Sequence, residues 1–229
     1  MQIKTILFDL DNTLFDFNKA EKGALTKTLE RLGIEPADAI VKRYSEINLS
    51  QWKLLEQGRL TREGVKQRRY QLLFEELGVD CDPQKANAIY EEQLAIGHYF
   101  VEGAPELLKA LYGRYDLYLV TNGTAKVQYG RLQSSGIEKY FKNIFISEEI
   151  GYDKPSKAYF EKCFSQIPDF GKEETIIVGD SLSSDIQGGK NAGIATVWFN
   201  PFRASNDTPI LPDHEIHKLS EMEELLSSL

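Results

Sequence analysis

Acidic residues follow directly on two apolar runs of this sequence. Asp9 and Asp11 come after the run at residues 3–8, and Asp180 and Asp185 follow a second run of the same kind. Short apolar runs are typical of buried parallel strands, and ligands bind beyond the carboxyl ends of such strands. Crowded carboxylates repel one another unless a cation lies between them, and Mg²⁺ prefers oxygen ligands of this kind. The spacing therefore predicts that the four acids converge at one sheet edge as a magnesium site.

Groups suited to binding phosphate occupy two further positions. Thr121, Asn122 and Gly123 follow a third apolar run, and Lys154 precedes Pro155 at the start of a helical segment. An ammonium group and the backbone amides beside a glycine bind phosphate oxygens. The combination predicts that a small phosphorylated metabolite binds next to the metal.

The alternation of apolar runs and helical segments predicts the elements that must position these residues. Apolar runs occur at 3–8, 116–121, 143–147, 175–179 and 194–199, with a short sixth near 214–216. From about residue 103 onward, helical segments separate these runs. This alternation is typical of a parallel sheet that is covered by helices on both faces.

A helical block interrupts this pattern after its first strand. Residues 17–100 carry apolar residues at helical spacing, such as Leu25 and Leu29, and almost no alternating β-branched runs. The predicted fold class is therefore α/β, with a Rossmann-like three-layer α/β/α core and an inserted all-helical cap domain. The predicted core comprises residues 1–16 and 101–229, and the predicted cap comprises residues 17–100.

Composition excludes several classes of function. The 229 residues include 27 Lys and Arg against 35 Asp and Glu, a net charge of −8, which disfavours binding to a nucleic-acid polymer or an anionic membrane. Apolar runs fall far short of the roughly 20 residues of a membrane span. The N-terminus does not resemble a signal peptide, and Cys81 and Cys163 lack metal-ligand spacing. We therefore expect a cytoplasmic monomer or homodimer.

Four short segments resemble, in order, the motifs of the haloacid dehalogenase-like (HAD) hydrolases: DLDNT, TNG, DKP and GDSLSSD. The resemblance covers residues 1–16 and 103–200, and the helical insert resembles the C1-type cap of that family. The acid at Asp11, which the haloacid dehalogenase branch lacks, implies phosphoryl transfer. The stretch from TNG to DKP resembles the pyrimidine 5′-nucleotidase branch, and similar runs occur in N-acylneuraminate-9-phosphatase.

The resemblance implies catalytic roles for four residues. Asp9 is the nucleophile that forms an aspartyl-phosphate, and Asp11 is the general acid and then the general base. Thr121 and Lys154 bind phosphoryl oxygens and stabilise the transition state. The implied substrate-binding set is Thr121, Asn122, Gly123 and Lys154.

The resemblance also implies the ligands of Mg²⁺. They are Asp9, the backbone carbonyl of Asp11, and Asp180, with Asp185 in a direct or water-bridged role. The implied activity is hydrolysis of a phosphomonoester, with pyrimidine nucleoside monophosphates as the favoured substrates.

Three alternatives to that activity remain at this point. The substrate is another small metabolite, such as N-acylneuraminate 9-phosphate, phosphoglycolate or a sugar phosphate; or the enzyme is a phosphomutase; or the chain is a phosphate-binding module without catalysis. Residues of the helical insert that could contact a leaving group are interpreted as hydrophobic core or solvated helix face: Phe17, Trp52, Tyr99, Phe100, Arg59, Arg62, Arg68 and Arg69.

Overall fold

A parallel sheet lies at the centre of this computed structural model, which describes residues 3–229. Its strands follow the order β3-β2-β1-β4-β5-β6, and every neighbouring pair is parallel. The strands are β1 Thr5–Phe8, β2 Asp116–Thr121, β3 Asn143–Ile146, β4 Thr175–Gly179, β5 Ala195–Phe199 and β6 His214–Ile216. Each predicted apolar run contains one of these strands, and the α/β fold class is confirmed.

Strand β1 is apolar throughout because both of its faces are covered. Ile6 and Phe8 pack into the cluster on one face of the sheet, and Leu7 packs into the cluster on the other. Since β1 pairs with β2 and β4, Phe8 lies beside Leu119 and Val178. The residues that follow these three strands therefore emerge side by side at one edge of the sheet.

Helices cover the two faces of the sheet. The core helices are α5 Ala104–Leu111, α6 Ala125–Ser135, α7 Ser147–Ile150, α8 Lys157–Phe164, α9 Gln187–Ala192 and α10 Met222–Ser228. Leu107 of α5 packs against the face that carries Ile6, and Phe160 of α8 packs against the face that carries Leu7. This is the three-layer arrangement that the sequence predicts.

Four further helices form a separate layer with its own core. They are α1 Phe17–Arg31, α2 Asp38–Glu56, α3 Arg62–Leu77 and α4 Pro83–Leu94. Their buried residues, among them Leu25, Leu73 and a cluster of tyrosines, form a hydrophobic cluster distinct from the two that cover the sheet. The inserted helical domain is thus confirmed as part of the fold class. From residue 3 to residue 229, no helix has the length and apolar character needed to cross a bilayer.

Two adjacent segments connect the helical domain to the core. Phe15 and Phe100 form an antiparallel bridge, and their ring centroids lie 5.3 Å apart. The N–H of Asp16 donates to the carbonyl of Tyr99 at 2.7 Å. α4 ends at Leu94, and the chain reaches these contacts after a short turn. The paired segments fix where the helical domain sits above the sheet edge.

Helix α9 approaches the sheet closely at Gly189. A Cβ added there would lie 2.6 Å from Cγ2 of both Ile177 and Thr196. We expect Gly189→Ala to lower the free energy of unfolding by about 1–3 kcal/mol, because overpacking forces the helix away from the strands. Urea denaturation followed by circular dichroism measures this change.

Gly23, in the interior of α1, provides the matched control. A Cβ there would lie 3.8 Å from the Tyr99 hydroxyl, an ordinary contact. Gly23→Ala should leave stability equal or raise it by up to about 1 kcal/mol, since alanine favours the helix. Equal destabilisation by both substitutions would contradict the close approach of α9.

Candidate active site

Lys154 lies between the carboxylates that follow β1 and β4. Its side chain is 1% exposed, and its Nζ donates to Oδ1 of Asp9 and Oδ1 of Asp185 at 2.7 Å each. A third hydrogen bond, at 2.8 Å, goes to the carbonyl of Val120. Burial by itself would lower the pKa of Lys154, but the charges of Asp185 and Asp9 raise it above its usual value. The amine is therefore protonated and fully hydrogen-bonded.

Three carboxylates converge around this ammonium group. One oxygen of each of Asp9, Asp180 and Asp185 lies within 4.8 Å of the others. Burial raises the pKa of Asp9 to about 7, against the opposing charge of Lys154 and with the charges of Asp185 and Asp11 adding to the effect. Burial and the charges of Asp9 and Asp185 also raise the pKa of Asp180 well above its usual range.

The charge balance of this cluster fits a divalent cation. Among the residues that the structure describes, Lys154 is the one cation that forms ion pairs with this cluster, and it pairs with Asp9 and Asp185 but not with Asp180. The carboxylates therefore carry more negative charge than Lys154 compensates. Closely spaced carboxylate oxygens are also the ligands that Mg²⁺ prefers in proteins. The buried acids at this sheet edge could therefore hold such an ion.

Loops at the strand ends hold Asp180 and Asp185 in place. The backbone N–H of Asp180 donates to Oγ1 of Thr13 at 3.1 Å, which joins the loop after β4 to the loop after β1. Asp185 lies in a π-helical turn, Leu182–Ile186, that precedes α9, and its Oδ2 accepts from the N–H of Ser181 at 3.1 Å. The first contact fixes the backbone at Asp180, and the second holds Asp185 with its Oδ1 on Lys154.

The segment after β2 places a hydroxyl and a carboxamide beside Lys154. Oγ1 of Thr121 accepts from the N–H of Gly123 at 3.1 Å and from Gln128 at 2.8 Å, so its own proton is free to donate. The side chain of Asn122 donates to the carbonyl of Lys154 at 2.9 Å and accepts from its N–H at 2.8 Å. Thr121 thus offers a donor to a ligand, while the Asn122 side chain orients the lysine.

Asp11 has two partners that sequence reasoning missed. Gln128 donates to its Oδ2 at 2.8 Å, and the fully buried Arg131 forms an ion pair with its Oδ1. Nε of Arg131 also donates to the carbonyl of Gly97, in the segment that returns from the helical domain, at 2.9 Å. The signal in the sequence was weak. Gln128 and Arg131 lie three residues apart on the helix that follows TNG, a spacing that puts both on one face.

A cavity of about 590 Å³ extends from these core residues into the helical domain. Phe17 and Trp52 line it, whereas Tyr99 and Phe100 are outside its lining. Phe17 and Trp52 are therefore more than the ordinary core residues that the sequence predicts, because both also face the space that a ligand would enter.

The interpretation of the helical arginines as a solvated face is half wrong. Arg59 and Arg68 are exposed as expected. Arg69 is 3% exposed and lines the cavity, and the side chain of Arg62 is 12% exposed. The helical periodicity of the sequence does not determine which polar positions another domain covers.

Arg62 connects the helical domain to the core loops. Its Nη1 donates to the carbonyls of Asn122 and Gly123, at 2.5 and 3.2 Å. Its Nη2 donates to Oγ of Ser147 at 2.6 Å and forms an ion pair with Asp153. The side chain thereby ties α3 to Asn122 and Gly123, which line the cavity.

Comparisons with known proteins show what this chain is similar to. The sequence model of the haloacid dehalogenase-like hydrolases matches residues 6–199. Similar proteins include the pyrimidine 5′-nucleotidase PynA of Streptococcus pneumoniae, 40% identical over 97% of this chain and 94% of that protein. The pyrimidine 5′-nucleotidase YjjG of Escherichia coli is 31% identical over 96% of both chains. The crystal structure of the HAD-hydrolase YfnB from Bacillus subtilis, bound to magnesium, has a TM-score of 0.94 and 40% identity over 99% of both chains.

Because the pKa of Asp180 is raised, the stability of the metal-free protein should depend on pH. A carboxyl whose pKa rises on folding stabilises the native state at low pH, and that contribution is lost as the pH rises through the folded pKa. In EDTA at about pH 8, we therefore expect Asp180→Asn to be more stable than the wild type by about 1–3 kcal/mol. The difference should shrink toward zero near pH 4, where the carboxyl is protonated.

Urea denaturation at both pH values measures this effect, and Asp80→Asn, at an exposed position, is the control. The control should show the same stability as the wild type at each pH. An Asp180→Asn variant less stable than the wild type at pH 8 would show that the ionised carboxylate does not strain the native state.

Proposed function

The chain belongs to the haloacid dehalogenase-like hydrolases, as its motifs predict, and from that membership we propose that it is a Mg²⁺-dependent pyrimidine 5′-nucleotidase. It hydrolyses nucleoside monophosphates through an aspartyl-phosphate. The observation that carries the proposal is the buried contact of Lys154 with Asp9, at the sheet edge where Asp180 and Asp185 converge. Similarity to PynA and YjjG over nearly the whole chain supports the choice of substrate.

Asp9 is the nucleophile in this mechanism. Lys154 binds its Oδ1, while within residues 3–229 its Oδ2 accepts no hydrogen bond and keeps its lone pairs for attack on phosphorus. The new bond joins Oδ2 to phosphorus, and the bond from phosphorus to the nucleoside oxygen breaks. Asp11 delivers the proton that the leaving oxygen needs.

The second half of the reaction returns the enzyme to its starting state. Asp11 takes a proton from a water molecule, which attacks phosphorus and breaks the bond to Asp9. Inorganic phosphate leaves with the oxygen that the water supplied. Gln128 and Arg131 donate to the two oxygens of Asp11, and these contacts fix the direction in which its carboxylate faces.

Donors beside Asp9 stabilise the charge of the transferring group. The Thr121 hydroxyl has a free proton, and Lys154 adds a fixed positive charge. Because both are held by the strand ends and by Asn122, they need no reorganisation when the transition state forms. The backbone around Asn122 and Gly123 completes the phosphoryl-binding segment in this proposal.

Asp9, the backbone carbonyl of Asp11, Asp180 and Asp185 are the residues that would hold Mg²⁺. Both oxygens of Asp185 already accept hydrogen bonds, whereas in the described part of the chain the carboxylate of Asp180 accepts none. Asp180 is therefore the acid most free to bind the ion directly. When bound, Mg²⁺ supplies positive charge to the carboxylates and to the phosphoryl oxygens. The crystal structure of YfnB, which is bound to magnesium, supports the choice of Mg²⁺ as the ion.

Residues 17–100 act as a cap over a core of residues 1–16 and 101–229. The contacts of Arg62 with the loop after β2 and with Asp153 hold the two parts together. Closure of this kind excludes water while Asp9 attacks and selects the leaving group. The interdomain movement described for YfnB supports a cap that opens and closes.

Phosphate release from a panel of substrates tests the proposal. The panel contains nucleoside monophosphates, sugar phosphates, phosphoglycolate and N-acylneuraminate 9-phosphate, each with Mg²⁺ and with EDTA. We expect release that depends on Mg²⁺ and is fastest on pyrimidine nucleoside monophosphates. A different best substrate would overturn the nucleotidase assignment, and an isomerised sugar phosphate without free phosphate would indicate a phosphomutase.

Asp9→Asn tests the nucleophile. The amide oxygen can still accept from Lys154, so the fold should persist, but the amide cannot form the covalent intermediate. We expect kcat to fall by more than about a thousandfold, with a circular dichroism spectrum equal to that of the wild type. Asp207→Asn, at an exposed loop position, is the control and should keep full activity. Activity of Asp9→Asn within tenfold of the wild type would refute the assignment.

A further inference from the structure

The cap lines the cavity with a buried polar network that the catalytic mechanism does not use. Asn48 of α2 donates to Glu21 of α1 at 2.7 Å and accepts from Nη1 of Arg69 of α3 at 3.0 Å. Ser45 donates to the other oxygen of Glu21 at 2.5 Å. Three helices thus contribute to the network, two members coming from α2, and all four side chains line the cavity.

This network fixes the guanidinium group of Arg69. Its Nη2 donates to Asn87 of α4 at 2.5 Å, and its Cζ lies 4.6 Å above the ring centre of Tyr90. With both terminal nitrogens bonded and one face stacked, the group has a single orientation. Such preorganisation is what a binding site for a specific ligand requires.

Two hydrogen-bond donors of this site have no protein partner. Nε of Arg69 and the hydroxyl of Tyr90 are buried, and no residue from 3 to 229 bonds to them. Both side chains line the cavity. Burial raises the pKa of Tyr90 well above its usual value, so its hydroxyl keeps its proton. Buried donors without partners are costly, and a shift of these two side chains toward the cavity would let acceptor atoms of a ligand satisfy both.

Apolar side chains form other parts of the same cavity. Phe17 and Trp52 offer aromatic rings, and Leu94 and Val127 offer aliphatic surface. Walls of this type pack well against a planar ring, while the few polar groups fix its orientation.

We propose that Arg69 and Tyr90 are specificity-determining residues, whose free donors bind acceptor atoms on the planar ring of the leaving group. Glu21 and Asn48 are positioning residues that hold Arg69 for this purpose. The inference rests on the proposed nucleotidase function, because it assigns the cap residues that recognise the base of the nucleotide.

The hydroxyl of Tyr90 gives the sharpest test, because Tyr90→Phe removes a group that bonds to nothing else in residues 3–229. The readout is kcat/KM for uridine 5′-monophosphate divided by kcat/KM for ribose 5-phosphate, which lacks the base. We expect this ratio to fall by about tenfold in Tyr90→Phe. A purely structural role of the hydroxyl would leave the ratio unchanged.

Tyr44 and Tyr70 supply matched controls. They contact Tyr90 in the same buried cluster and also have hydroxyls without partners among the described residues, but neither lines the cavity. Tyr44→Phe and Tyr70→Phe should keep the wild-type ratio within about twofold. If all three substitutions change the ratio equally, or if none does, the assignment of Tyr90 is wrong.

Arg69→Lys tests the second donor independently. Lysine keeps the charge but lacks the planar fork and Nε, so we expect the ratio to fall by about a hundredfold. Thermal melting shows whether Arg69→Lys still folds. If it does not, the Tyr90→Phe result alone decides whether the inference holds. The wild-type ratio separates the two proposals: a value near one overturns the nucleotidase function itself, whereas a high wild-type ratio that Tyr90→Phe leaves intact overturns only the present inference.

Discussion

The hydrogen-bonded ion pair of Lys154 with Asp9 and Asp185 is the interaction on which the rest of the site depends. Two carboxylates can be buried this close together because Lys154 lies between them, and loss of the ammonium group would leave two uncompensated negative charges in a region of low polarity. The parallel sheet makes this arrangement possible. It brings the residue after β1 and the residues after β4 to one edge, and Asn122 after β2 fixes the lysine that completes them.

The sequence predicts this core because its members are tied to local signals. Asp9 and Asp180 directly follow apolar runs, and those runs form strands whose neighbours are set by the rules of parallel α/β folds. Lys154 is recognised through its motif rather than through periodicity. Strand positions and the acids that follow them are therefore predictable from short segments, without knowledge of how distant helices pack.

Contacts between the two domains are not predictable in the same way. Arg62 and Arg69 lie on polar stretches of one amphipathic helix, and solvent is the ordinary environment of such positions. Their burial results from the core loops in one case and from neighbouring helices in the other. The contacts of Arg131 are not predictable for the same reason, since its partners Asp11 and Gly97 are separated from it by 120 and 34 residues.

These interdomain contacts couple the position of the cap to the geometry of the site. Arg62 bonds to the carbonyls of Asn122 and Gly123, and the side chain of Asn122 bonds to the backbone of Lys154. Movement of the cap therefore alters restraints on the loop that orients the lysine. A ligand that contacts both the core loops and the cap side of the cavity binds the closed arrangement more tightly and shifts the population toward it. In the proposed function, substrate recognition by the cap and assembly of the phosphoryl-binding site share a single free-energy change, so selectivity for the leaving group is expressed in catalysis as well as in binding.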